Sequence, residues 1–176
     1  ISSKNFNKDS NGNISLVNAL DYETATSYTL ALNASDGVNT TTSELIITVD
    51  DVNEAPSLTN ALAASSFAEN VSTGTTIATA SASDPESQAI TYSLSGTGSG
   101  NFAVDSSGNI TLASGLDYET ATSYSLTLSA SDGENTTTNS LTITIDDVNE
   151  APSLSSSLAA SSFAENVATG TTIATT

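Results

Sequence analysis

The sequence has no cysteine, histidine, methionine or tryptophan, and its only basic residues in 176 positions are Lys4 and Lys8. Each absence removes a class of chemistry. Without imidazole or thiolate there are no ordinary ligands for zinc, copper, haem or iron–sulfur centres, and no histidine or cysteine serves as nucleophile or base. Without cysteine, no disulfide staples a small domain. The 20 Asp and Glu residues set a formal charge of −18. Such a surface repels phosphate backbones and anionic lipid, so nucleic acid partners and direct membrane contact are not expected. No apolar run reaches the ~18 residues of a membrane span. The lack of an initiator methionine and of a signal peptide points to a piece of a larger polypeptide. What remains is oxygen chemistry from carboxylates, amides, hydroxyls and backbone carbonyls.

Hydrophobic residues make up 37% and aromatic residues 5% of the chain, enough for small cores. Sliding the sequence against itself by 96 residues superposes 1–80 on 97–176, with 57 of the 80 positions identical. The segment DYETATSY recurs at 21–28 and 117–124, DDVNEAPSL at 50–58 and 146–154, and AASSFAENV at 63–71 and 159–167. This is a tandem array. It divides into the C-terminal half of one repeat at 1–56, a complete repeat at 57–152, and the N-terminal strands of a following repeat at 153–176.

A unit of 96 residues suits an immunoglobulin-like Greek-key β-sandwich, so the expected fold class is all-β. Tyr124, Leu126, Leu128 and Ala130 alternate with Ser and Thr, as do Leu141, Ile143 and Ile145, the period of two that buries one face of a strand. Further strands are expected at 67–71, 75–82, 89–94, 101–104 and 109–112. Between the last two, Asp105 to Asn109 reads as a hairpin turn in which Gly108 supplies positive φ. Tyr28 and Tyr124 stand where sandwiches place a tyrosine corner, ring buried and hydroxyl bonded to backbone. Asn-x-Ser/Thr sequons occur at Asn13, Asn33, Asn39, Asn70, Asn109 and Asn135; most are expected from composition alone.

Residues 57–152 hold 11 carboxylates and no base. They gather at strand ends: Glu69 after a strand, Asp84 and Glu86 in DPE, Asp117 and Glu119 in LDYE, Asp132 in ASDG, and Asp146, Asp147 and Glu150 in DDVNEAP. Asp105 and Glu134 have ordinary turn roles. Strand ends of a sandwich collect at two poles, so these acids are expected to converge on the junctions between repeats. Unpaired carboxylates brought together call for a cation, and six to eight oxygens at flexible spacing suit Ca2+. With no histidine present, binding of that ion is expected to be flat from about pH 8 to 6 and to fail as carboxylates protonate at about pH 4–5. Paired acids such as Asp117 and Glu119 lack the rest of a hydrolytic constellation, so an enzyme is not expected.

The order FAEN, GTTI, SDPE, ITYSL, LDYE, ASDG, DVNEAP resembles the cadherin repeat, particularly the cadherin-like tandem repeats of large bacterial surface proteins. The resemblance implies calcium held between repeats. Carried onto these residues, it places Asp21, Glu23, Asp51, Asn53 and Glu54 on the outgoing side of a first junction, with Asp84, Glu86 and Asp132 on the incoming side. It places Glu69, Asp117, Glu119, Asp147, Asn149 and Glu150 at a second. Two departures stand out: DVNEAP is one residue shorter than the cadherin linker, and the family's DxD-like pair is here Asp84-Pro85-Glu86; in LDYE, Tyr22 and Tyr118 replace the family's arginine, a charge not needed as a ligand. The implied role is a calcium-stiffened structural or adhesive element of an extracellular, bacterial cell-surface protein, partnered by neighbouring repeats of its own chain. The alternative is a module that binds surface glycans or protein receptors.

Overall fold

The computed structural model describes residues 4–60, 62–63, 65–153 and 162–172. Its strands are β1 (Phe6–Lys8), β2 (Ile14–Leu16), β3 (Ser27–Ser35), β4 (Thr40–Thr48), β5 (Ser57–Leu58), β6 (Ser65–Ala68), β7 (Thr76–Thr79), β8 (Ala82–Ser83), β9 (Thr91–Thr97), β10 (Phe102–Val104), β11 (Asn109–Leu112), β12 (Ser123–Ser131) and β13 (Thr136–Asp146).

From β6 onward these strands build a sandwich. One sheet runs β6-β13-β12-β9 and the other β10-β11-β7. All pairings are antiparallel except β6 on β13, which is parallel from Ile143↔Ser65 to Asp146↔Ala68. The expected alternation governs β12 and β13. Tyr124, Leu126, Leu128 and Ala130 are buried together with Leu141, Ile143 and Ile145, and they close on Ile77, Ile110 and Leu112 of the facing sheet. Outward-facing Ser and Thr lower the cost of leaving the other face wet.

The turns follow local chemistry. Asp105 accepts from the backbone of Ser107 at 2.8 Å and of Asn109 at 2.9 Å, and its second oxygen accepts from the Asn109 amide at 2.9 Å. Gly108 sits there at φ 81°, and a Cβ on it would strike the Ala80 carbonyl. Asp9 makes the same turn with Asn11 and Asn13. The strand expected at 75–82 is two pieces, β7 and β8. Its end departs from β11 and pairs instead with β5 just after the linker, and a register shift between Ile110 and Thr111 marks the irregular partner.

Residues 6–48 repeat the later elements at a 96-residue shift. The register of β1 with β2 reproduces that of β10 with β11, and β3 with β4 reproduces β12 with β13. Phe6 meets Tyr28 edge-to-face at 5.3 Å, as Phe102 meets Tyr124 at 5.4 Å. The tyrosine corner needs one correction: the Tyr28 hydroxyl accepts from the Asn5 side-chain amide at 2.9 Å rather than bonding to backbone. A polar side chain within reach satisfies the hydroxyl as well as a carbonyl does. The first strands expected at 153–176 fall partly outside the described residues, and 162–172 contain turns without strand.

Candidate functional site

The linker 50–56 is held by hydrogen bonds on several sides. Asp132 accepts from the backbone of Glu134 at 2.7 Å and of Asn135 at 2.6 Å, which closes the ASDGEN turn, and its other oxygen accepts from the Asn53 amide at 3.0 Å. Burial works against the Asp132 charge, but the Asn135 backbone and Asn53 amide outweigh it and hold its pKa below the ordinary value. Asn135 donates to the Asn53 carbonyl at 3.1 Å, and the Gln88 amide donates to the Asn53 side chain. Gln88 in turn donates its backbone N–H to Asp84 at 2.9 Å.

Around this clamp stand the acids. Carboxylate oxygens of Glu23, Glu54 and Glu86 lie within 4.8 Å of one another. Asp21 lines a cleft with Glu23, Glu54 and Pro85, and Asp51 lines an adjoining cleft with Tyr22, Glu23 and Glu86. Three buried side-chain oxygens in the described residues have no hydrogen-bond partner: Asp84 Oδ2 and both oxygens of Glu86. Buried carboxylates normally find donors, and leaving them orphaned is costly. Glu54 responds by holding a proton. Once protonated it can donate to the otherwise unpartnered Glu86, and this, then burial and the charges of Glu86, Glu23 and Asp51, raises its pKa to about 7. The same hydrogen bond lowers Glu86, so the two titrate as a pair sharing one proton. Carboxylates crowded together thus titrate above their ordinary range here.

At the opposite pole, Glu69 is buried. One oxygen accepts from Tyr118 N at 2.7 Å and the other from Val148 N at 2.8 Å, tying the end of β6 to the LDYE turn and to the outgoing linker. The Tyr118 and Val148 backbone bonds lower its pKa. Burial, followed by the Glu69 charge, raises that of Glu150. Glu69 forms one group with Asp117 and Glu119 and another with Asp147 and Glu150, each with oxygens within 4.8 Å. Asp117 is fixed by Thr120, whose N–H and hydroxyl each donate to it at 3.0 Å. Asn149 donates only to the Glu150 carbonyl, at 3.3 Å, and is exposed.

The structure therefore gathers Glu23, Glu54 and Glu86, with Asp21 and Asp51 beside them. It joins Asn53 to Asp132, and it gathers Glu69, Asp117, Glu119, Asp147 and Glu150 at the other pole. Two residues that organise the first junction went unread in the sequence. Gln88 has no counterpart among the repeated positions. Asn135 does, in Asn39, but it looked like a sequon; its amide is engaged with the linker, as the Asn109 amide is with Asp105.

The cadherin domain family model matches residues 64–146. Protocadherin Fat 2 of Rattus norvegicus is 39% identical over 137 residues, covering 72% of this chain and 3% of that protein. The protocadherin-like wing polarity protein stan of Drosophila melanogaster is 34% identical over 178 residues, covering 92% of this chain and 5% of that protein. The solved structure of mouse cadherin-23 EC22-24 superposes with a TM-score of 0.58 at 30% identity, covering 82% of this chain and 50% of that one. The chain thus spans a small fraction of the length of the curated relatives it matches.

Proposed function

We propose that this chain, which carries a cadherin domain over residues 64–146, is a stretch of tandem repeats whose junctions bind Ca2+ and are stiffened by it, in an extracellular structural or adhesive protein. The observation that carries the reading is the set of orphaned oxygens: Asp84 Oδ2 and both Glu86 oxygens, buried beside Glu23 and Glu54 with no base near enough to pair them. The donor set is all oxygen, and the residues fit a hard divalent cation. The division into 1–56, 57–152 and 153–176 belongs to the same proposal, supported by the 96-residue recurrence of strand register. So does a bacterial parent, supported by the motif order; the relatives named above are animal proteins.

Glu23 and Glu54 reach the first junction from the outgoing side, Glu86 and Asp84 from the incoming one. Bound calcium supplies two positive charges and takes six to eight oxygens. Asp132, Asn135 and Gln88 position the linker through Asn53. The carboxylates repel when all are ionised, and this repulsion loosens the junction unless a proton on Glu54 or a cation offsets it. Glu69, Asp117, Glu119, Asp147, Asn149 and Glu150 form the outgoing half of the second junction.

Thermal melting with calcium tests this. Extracellular calcium modules have dissociation constants of about 0.1–1 mM, so about 1 mM calcium stabilises by ~0.4–1.4 kcal/mol per site. The melting temperature rises with Ca2+ and not with Na+ at matched ionic strength, and Asp84→Ala removes the tighter of two sites in calorimetry. A melting curve indifferent to calcium sinks the proposal.

A further inference from the structure

The complete sandwich grips the chain beyond its own strands at both ends. At the outgoing end Glu69 holds the close of β13 and the residues after it: its backbone N–H donates to the Asp146 carbonyl at 3.1 Å, and its side chain accepts from Val148 N at 2.8 Å. At the incoming end the residue gripped is Asn53. Its side-chain amide donates to Asp132 Oδ2 at 3.0 Å, its side-chain carbonyl accepts from the Gln88 amide, and its backbone carbonyl accepts from Asn135 Nδ2 at 3.1 Å. Further along the same linker Pro56 is fully buried, and β5 follows at once, paired with β8.

The incoming grip demands an amide at Asn53. A carboxylate there faces Asp132 with nothing to donate, and an apolar side chain leaves Asp132 and Gln88 unpaired. The bond to Asp132 has an ionised acceptor, which makes it the stronger kind. The turn that carries Gln88 is held in a strained form. Ser87 stands at φ 61°, the only positive φ outside glycine among the described residues; its N–H donates to the Asp84 carbonyl at 3.1 Å, and Gln88 N donates to Asp84 Oδ1 at 2.9 Å. Such a backbone persists where the contacts around it over-determine it, and here they set Gln88 against the linker.

We propose that the rigid unit of this array runs from Asn53 to Val148 and holds both of its ends without a cation, so that successive units meet at a single Val–Asn step. The stretch from Asn53 to Val148 is 96 residues long, the period of the repeat. Val52 and Asn53 are the counterparts of Val148 and Asn149. The grip on the outgoing linker therefore ends at the valine, and the grip on the incoming linker begins at the asparagine that follows it. No residue is left over between them. The unit starts ahead of the boundary at 57 drawn from the sequence, and both grips are made by side chains of the complete repeat. Peptide planes are stiff, so without a cation the array bends about two soft angles, ψ of the valine and φ of the asparagine.

Backbone 15N relaxation of the whole chain tests this in chelator, at about pH 6 so that Glu54 keeps its proton. The order parameters of 53–55 and 146–148 match those of β12, about 0.85. Asn53→Asp keeps the shape of the side chain but cannot donate to Asp132, and Gln88→Ala removes the donor to Asn53. Each lowers 53–55 to below about 0.6 and leaves 146–148 as they were, whereas Glu69→Ala does the reverse. A side chain that merely fills space does not distinguish Asn53 from aspartate. Either stretch less ordered than β12 in the unaltered chain overturns the proposal. So does order in 53–55 that survives both Asn53→Asp and Gln88→Ala, or order in 146–148 that survives Glu69→Ala. The readout contains no metal, so the calcium reading, tested by melting and calorimetry, can fail while this one stands, and the reverse.

Discussion

The hairpins β1–β2 and β3–β4 and their counterparts β10–β11 and β12–β13 use one sequence pattern twice, pair in one register, and bury it to different depths. Leu126, Leu128, Leu141 and Ile143 are sealed in a core, whereas among their counterparts only Leu30 is buried; Leu32, Leu45 and Ile47 are half-covered. The difference lies in what faces them. In the later unit β6, β7 and β9 complete two sheets; no such strands oppose β1–β4 in the described residues. Strand pairing is thus a property of the hairpins, and burial a property of the sandwich they join.

The strongest way to break this comparison is a matched pair of core deletions. Leu128 is fully buried at 0% exposure, so Leu128→Ala costs about 3 kcal/mol in denaturant unfolding of the later unit, within the usual range for a leucine cavity. Leu32→Ala, at the equivalent position, leaves the same transition within about 0.5 kcal/mol of its original stability. Equal losses would mean that residues 4–56 fold as part of the same cooperative core.

Glu69 and Glu165 sharpen it further. Glu69→Ala leaves the Tyr118 and Val148 N–H groups without their acceptor and lowers the melting temperature in chelator, though less than Leu128→Ala does. Glu165→Ala leaves melting unchanged. The Glu69 pKa lies below its ordinary value, so its contribution is present above about pH 4.5 and is lost as pH falls below that. An acid limb in the native protein that is absent from Glu69→Ala checks the sign.

The smallest effect compares the two poles in pH. Glu54 is raised from 4.5 to about 7, so its protonated form favours the assembled junction. That contribution is fully present below about pH 4.5 and is lost as pH rises through about 7. In chelator, amide signals of Asn53 and Gln88 broaden as pH rises through about 7, while those of Tyr118 and Val148 at the other pole do not. Millimolar calcium removes the broadening, and Glu54→Gln abolishes its pH dependence. Signals that sharpen with rising pH contradict the assignment.

Much of the sandwich was legible because its causes are local. The alternation in 123–131 and 141–145 specifies a buried face, and the aspartate turn at 105–109 specifies a hairpin through a side-chain acceptor two and four residues back. The single strand expected at 75–82 is divided for a non-local reason: β8 pairs with β5, Ser57 opposite Ser83 and Leu58 opposite Ala82. The acids were legible as groups at strand ends, since DPE, LDYE and DDVNEAP declare themselves. Gln88 was not, because a single amide carries no pattern until the linker is seen to lie against it.

By itself, then, the sequence determined the repeat length, the alternation, the turn positions and the surplus of carboxylate without base, all of them consequences of residue type at short range. Only the tertiary structure decided which carboxylates meet. It brought Glu86 to Glu54 and Glu23, left Asp84 Oδ2 and both Glu86 oxygens buried without donors, and gave Glu69 two backbone N–H groups from distant turns. The physical reason is that electrostatic cost depends on distance and on solvent. Both are set by how the sheets and linkers pack rather than by the order of the residues along the chain.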